Sequence, residues 1–163
     1  EPDITGSMID NLIDAMYAEK EAVVCTFANK IRTVEELIDP NAVKVVIDKN
    51  SYAMYFSRAS IPFIRDENIH SSCSAAEEIL DESNTDNNTS FHFLKHLGIY
   101  MYRKDFLLSF SSLPVPKIEE LEKLEQLRVL SNGYKIKVVV APSTCEGVDT
   151  PEDFERFLEK YRI

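Results

Sequence analysis

The sequence is poor in basic charge, poor in cysteine and free of long apolar runs. Its 18 Lys and Arg side chains face 28 Asp and Glu, a formal net charge of −10. Nucleic acid is excluded as a main partner on that ground, because gripping a phosphate backbone needs a basic footprint. An anionic substrate would have to be met by local basic groups or by metal ions. The three cysteines, Cys25, Cys73 and Cys145, are widely spaced and form no CxxC pair. An odd, scattered set argues against a disulfide framework and against a zinc site. Cys25 sits in an apolar run and reads as a small core residue. No apolar stretch reaches the ~18 residues of a membrane span, and nothing resembles a signal peptide. These absences give an expectation of a cytoplasmic chain with no membrane partner.

What is present fits one domain or most of one: 163 residues, 44 % of them hydrophobic, enough for a core. The chain opens on Glu1-Pro2-Asp3 with no methionine, which reads as a piece of a longer or processed protein. Residues Ser7 to Glu19 read as an amphipathic helix, with Met8, Ile9, Leu12, Ile13 and Met16 on one face and Ser7 as its N-cap. Ala22 to Ala28 (AVVCTFA) reads as a buried strand. Thr33 to Ile38 opens on a capping-box pattern, Thr33 with Glu36. Val43 to Asp48 and Tyr52 to Ser57 read as a hairpin turning at Lys49-Asn50-Ser51.

The stretch 66–90 is acidic and polar and reads as a mobile surface loop. Phe91 to Tyr102 has the aromatic and branched content of a strand, and Lys104 to Phe110 reads as a short helix. Lys117 to Leu130 is the strongest predicted helix, with Ile118, Leu121, Leu124, Leu127 and Leu130 at three-residue spacing before Asn132-Gly133. Tyr134 to Ala141 reads as a strand, and Thr150 to Tyr161 as a helix capped by Thr150 with Pro151 in its first turn. Helices and strands alternate, so the class is α/β.

Three places invite chemistry. In Gly147-Val148-Asp149-Thr150-Pro151 a strand runs into a glycine turn, an acid and a capped helix. Ligands of open α/β sheets gather at such junctions, where an aspartate can hold a hard cation such as Mg²⁺. Asp149 and Thr150 serve equally well as plain caps. In Tyr55-Phe56-Ser57-Arg58, an arginine ending an aromatic strand can grip a carboxylate with its planar fork, or stand solvated. Third, His96, Tyr100 and Tyr102 on a strand accompany Glu122, Glu125, Gln126 and Arg128 on a helix. On one continuous helix Glu122 would share a face with Gln126, and Glu125 with Arg128. Such a set can read sugar hydroxyls, or be an ordinary ion-paired face.

Taken together, four segments resemble one family. They are Val43 to Asp48 with Tyr55-Phe56-Ser57-Arg58 and Ile61-Pro62-Phe63; His96-Leu97-Gly98-Ile99-Tyr100-Met101-Tyr102-Arg103; Leu121 to Arg128 (LEKLEQLR) with Asn132-Gly133-Tyr134; and Gly147 to Asp153 (GVDTPED). In this order they are similar to the 3-deoxy-manno-octulosonate cytidylyltransferases, the CMP-Kdo synthetases. The resemblance implies a nucleotide-diphospho-sugar transferase-like (Rossmann-like) mixed sheet with flanking helices. It implies CMP transfer from CTP to 3-deoxy-D-manno-octulosonate (Kdo), with Mg²⁺ as cofactor, a homodimer, and a place in lipopolysaccharide biosynthesis. By the same resemblance Arg58, His96, Tyr100, Glu125 and Gln126 lie around the sugar, with Arg58 on its carboxylate, and Asp149 binds metal. The family's glycine-rich CTP-binding segment and its second metal-binding aspartate, which stands before a Glu-Pro pair, have no counterpart here. Residues 1–163 therefore read as a single partial domain without the family's first strands. The expectation is that this chain alone has negligible transferase activity and tends to aggregate.

Overall fold

The structure is a computed structural model and describes residues 4–65, 92–141, 154–155 and 157–159. A five-stranded mixed sheet runs in the order β3-β2-β4-β1-β5. Its strands are β1 (Ala22–Lys30), β2 (Lys44–Ile47), β3 (Ala53–Ser57), β4 (Leu94–Tyr102) and β5 (Lys135–Val140). The helices are α1 (Gly6–Ala18), α2 (Val34–Ile38), α3 (Lys104–Phe110), α4 (Lys117–Glu122) and α5 (Gln126–Ser131). Only the β1–β5 pair is parallel; β4 runs antiparallel to β1 and β2, and β2 to β3. The α/β class and the mixed sheet with flanking helices are as the sequence led us to expect.

Alternation along β1 divides the core in two. Cys25 and Phe27 face α1, where they pack with Met8, Leu12, Met16, Leu97 and Ala141. Val24 and Ala28 face the other side, with Val45, Phe56, Leu94, Phe106, Leu124, Leu127, Val129, Ile136 and Val138. Period-two alternation on a strand covered on both faces makes nearly every position apolar, which is why β1 reads as a continuous run. Burial pushes the Cys25 thiol up to about 11, so it is an inert core group. The hairpin turns where Asp48 Oδ1 accepts the amides of Asn50 and Tyr52, with Ser51 in the left-handed region at φ 61°. Its tip folds over to β5, where the Val138 amide donates to the Ser51 carbonyl at 2.8 Å.

Two sequence expectations are corrected. The N-cap of α1 is Thr5, whose hydroxyl accepts from the Met8 amide, and not Ser7. The buried stripe is Met8, Leu12 and Met16, with Ile9 47 % exposed. The capping residue of α2 is Thr33, which accepts from the Glu36 amide as its pattern predicts.

The second correction concerns the strongest predicted helix. Lys117 to Leu130 is two helices, broken at Lys123, which adopts φ 57° and ψ 43°. The leucine spacing explains this. Each third residue falls about 60° behind on a 3.6-residue helix, so a straight rod would carry the stripe away from the sheet. The left-handed step resets the direction: Leu124 and Leu127 are buried while Leu121 is left 72 % exposed. Arg128 then reaches back to Glu119, with Nε–Oε2 at 2.9 Å and Nη2–Oε1 at 2.5 Å, and lies over the Phe110 ring at 4.8 Å. Arg128 thus pairs with Glu119 and not along one face with Glu125. The break makes a sharp prediction. Glycine in a continuous helix costs about 1 kcal/mol, whereas at a left-handed position it relieves about 1–2 kcal/mol of steric cost. Lys123→Gly is expected to hold or raise the unfolding free energy in urea melts, and Lys123→Val to lower it by about 1 kcal/mol or more. A loss of about 1 kcal/mol with glycine would argue for an unbroken helix.

Candidate functional site

The even-numbered residues of β4 point to the α4–α5 side of the sheet and carry an aromatic ladder. The His96 ring meets Phe56 edge-on at 5.1 Å and Tyr100 at 5.2 Å, and Tyr100 meets Tyr102 at 5.9 Å. A bulge shapes this stretch: Thr26 pairs with Tyr100 but the next residue, Phe27, pairs with Leu97. The carbonyls beside the bulge are met by the buried Thr26 hydroxyl, 2.7 Å from Ile99 O and 3.2 Å from Leu97 O. His96 Nε2 lies 2.9 Å from the same oxygen. The hydroxyl has one proton, and it goes to a carbonyl. His96 must therefore donate from Nε2, leaving Nδ1 as an acceptor. Enclosure lowers the His96 pKa to about 4, so the ring is neutral at physiological pH. Thr26 was not singled out in the sequence; its only signal is a lone hydroxyl in the run AVVCTFA.

Burial raises the Tyr100 pKa well above the ordinary tyrosine range, with Tyr102 and the Glu125 carboxylate adding to the shift. Tyr102 is raised by burial and by Glu125 as well. Glu125 therefore stands within electrostatic reach of both phenols while itself exposed. Gln126, the first residue of α5, is only 5 % exposed. Its side-chain amide has no hydrogen-bond partner among the described residues, a cost of about 1–3 kcal/mol for a group out of water.

Arg58 follows β3. Its Nε donates to the Glu122 carbonyl at 2.8 Å and its Nη1 to the Pro40 carbonyl at 2.9 Å. The guanidinium of this half-buried arginine is thus tied to main chain at two points, and its Nη2 makes no hydrogen bond among the described residues. Nearby, Lys44 is fully buried, and its ammonium donates to Asp39 O at 2.7 Å and Ala42 O at 2.5 Å. Burial lowers the Lys44 pKa, and the Asp39 carboxylate offsets part of that shift. Lysine and arginine together secure the turn before β2. Nothing in the run KVVI marks Lys44, which opens it, as interior.

His96 thus stands against Tyr100, with Glu125 within electrostatic reach of Tyr100; Gln126 is buried at the start of α5, and Arg58 is fixed to the end of α4. Asp149 and its glycine turn lie outside the described residues, as do Cys73, Cys145 and the stretch 66–90; residues 154–155 and 157–159 are helical, within the helix expected there. Among the described residues no group of His, Cys, Asp and Glu side chains is placed to hold a metal ion. No described helix is long and apolar enough to cross a membrane.

Comparison with known families decides the kinship. The model of the cytidylyltransferase family matches residues 1–136. The chain belongs to the cytidylyltransferase family. This cytidylyltransferase chain is 44 % identical over 163 residues to the 3-deoxy-manno-octulosonate cytidylyltransferase of Geobacter sulfurreducens, covering 99 % of the chain and 61 % of that protein. To the protein of the same description from Francisella tularensis subsp. holarctica it is 45 % identical over 164 residues, covering 100 % of the chain and 60 % of the relative. Among solved structures it resembles a CMP:2-keto-3-deoxy-manno-octonic acid synthetase complexed with CTP. The TM-score is 0.77 at 32 % identity, over 98 % of this chain and 57 % of that one. The chain thus spans about three-fifths of the curated cytidylyltransferases it matches.

Proposed function

We propose that this protein serves the transfer of CMP from CTP to Kdo for lipopolysaccharide biosynthesis, and that residues 1–163 supply the sugar-facing part of the site. In that reaction the anomeric hydroxyl of the sugar attacks the α-phosphorus of CTP. The bond to the β-phosphate breaks, pyrophosphate leaves, and the hydroxyl proton is lost to solvent or base. Such chemistry depends on placing the nucleophile in line and offsetting phosphate charge more than on covalent help.

The observation that carries this reading is the neutral histidine and two phenols on β4, with the Glu125 carboxylate within electrostatic reach of both phenols and the Gln126 amide buried next to it in sequence, without a hydrogen-bond partner among the described residues. A buried amide able both to donate and to accept fits a polyhydroxylated ligand, whose hydroxyls do both. His96, Tyr100 and Glu125 add an acceptor, a phenolic O–H and a carboxylate. The free edge of Arg58 fits the sugar's carboxylate. The kinship to proteins described as 3-deoxy-manno-octulosonate cytidylyltransferases points to Kdo over a sialic-acid-type sugar.

Magnesium belongs to the proposal through Asp149 alone, by family resemblance. The described residues give no further ligands for it, so no step is routed through the ion. A cytoplasmic homodimer is also proposed. The hairpin is its candidate surface, together with β4: β3 lies at the sheet edge and Met54 on it is 63 % exposed. Calorimetric titration tests the reading. The 163-residue chain is expected to bind Kdo, and to form no CMP-Kdo when mixed with Kdo, CTP and Mg²⁺. Binding of Kdo without CTP would favour a sugar-binding module. CTP binding without Kdo would sink the assignment of this site to the sugar.

A further inference from the structure

Glu122 stands at the end of α4, directly before the left-handed Lys123. Its sequence position, in a motif with Glu125 and Gln126, invites the idea that it too touches the sugar. The geometry says otherwise. Its Oε1 accepts from the Ser57 hydroxyl at 2.6 Å and from the Tyr55 hydroxyl at 3.5 Å. Its Oε2 accepts from the main-chain amide of Arg58 at 3.0 Å, and its carbonyl from Arg58 Nε at 2.8 Å. Both carboxylate oxygens and the main-chain oxygen therefore serve the last turn of β3. The Nη1 contact to Pro40 O holds the other side of the same guanidinium.

We infer that Glu122 is a positioning residue for the sugar-acid site, fixing Arg58 at its backbone amide and its guanidinium, at the end of the helix that precedes α5 and the buried Gln126. The inference rests on the function proposed above. Glu122 holds Arg58 by two routes, its carboxylate on the backbone amide and its carbonyl on the guanidinium Nε. Glu122 also ends the helix directly before the break, beyond which Gln126 is buried. A group held from two sides presents its remaining N–H donors in one direction, which is what bidentate recognition of a carboxylate needs.

Electrostatics alone would predict the opposite of positioning. Glu122 is an anion near the site of an anionic ligand, so a purely electrostatic role means that neutralising it tightens Kdo binding. Positioning means that neutralising it weakens binding. Kdo titration of the 163-residue chain separates the two. Glu122→Ala is expected to weaken Kdo binding roughly 10- to 100-fold, the range for loss of a group that orients a ligand contact. Glu122→Gln keeps one acceptor oxygen and is expected to fall between alanine and wild type. Glu120→Gln, on the exposed side of the same helix, is expected to leave binding unchanged. A readout that needs no sugar accompanies it: exchange of the Arg58 backbone N–H, the donor to the Glu122 carboxylate, followed by ¹⁵N–¹H spectroscopy, should be slow in wild type and fast in Glu122→Ala. Wild-type Kdo binding that is unchanged or tightened in the Glu122 variants would overturn the inference alone. An equally protected Arg58 backbone N–H in Glu122→Ala would do the same. A wild-type chain that does not bind Kdo would overturn the proposed function, and this inference with it.

Discussion

A Phe56→Ala chain is expected to unfold with about 3–5 kcal/mol less free energy than wild type, measured by urea titration. Phe56 is completely buried on β3, within the core between the sheet and α5. Its truncation removes a full aromatic contact area and leaves a cavity among neighbours that the sheet holds in place. Domains of this size are stable by only about 5–15 kcal/mol, so the change would take away a large share of the total. The same ring stands edge-on to His96 at 5.1 Å, so the variant should also loosen that imidazole. A loss under about 1.5 kcal/mol would mean that the core collapses easily around the site. Phe56→Leu, closer in volume, is expected to cost less than alanine.

The second large effect is in acid. His96 has a folded pKa of about 4 against 6.5 for a free imidazole, because enclosure penalises the charged ring. The unfolded chain binds a proton between those values and the folded chain does not. The stability linked to His96 is therefore fully present above pH 6.5 and is lost as pH falls through about 4. The difference corresponds to about 3 kcal/mol. Unfolding free energies of wild type and His96→Gln, measured from pH 7.5 down to pH 4, should converge as the acid limit is approached, since glutamine does not titrate. Parallel curves would show that His96 takes up its proton alike in the folded and unfolded chains, and the enclosure of the ring would fall with that result. Carboxylates titrate in the lower part of the same window, and subtracting the two curves removes their share.

These two residues also show what the sequence made legible. The hydrophobic alternation in β1, the hairpin signals around Lys49-Asn50-Ser51 and the Thr33 cap were readable because each is set by local physics. Arg58, His96, Tyr100, Glu125 and Gln126 are proposed as a group only through the family's motifs, since nothing local distinguishes a ligand-reading helix from an ion-paired one. The break at Lys123 escaped, because propensity favours helix throughout KIEELEKLEQLRVL and the deciding fact is which leucines the sheet can cover. Thr26 and Lys44 escaped for a related reason. A hydroxyl or an ammonium becomes interior only when carbonyls converge on it: those of Leu97 and Ile99 on another strand for the one, and those of Asp39 and Ala42 in the preceding turn for the other. The orphan state of the Gln126 amide belongs to the same class, as a property of tertiary placement.

The central claim is that the α4–α5 side of the sheet binds an eight-carbon sugar acid. The most direct test follows backbone and side-chain amide resonances of the 163-residue chain as Kdo is added. The account predicts saturable shifts at Gln126, including its side-chain amide, and at His96, Tyr100 and Arg58, with little change along α1. Shifts confined to other surfaces, or none at any Kdo concentration, would contradict it.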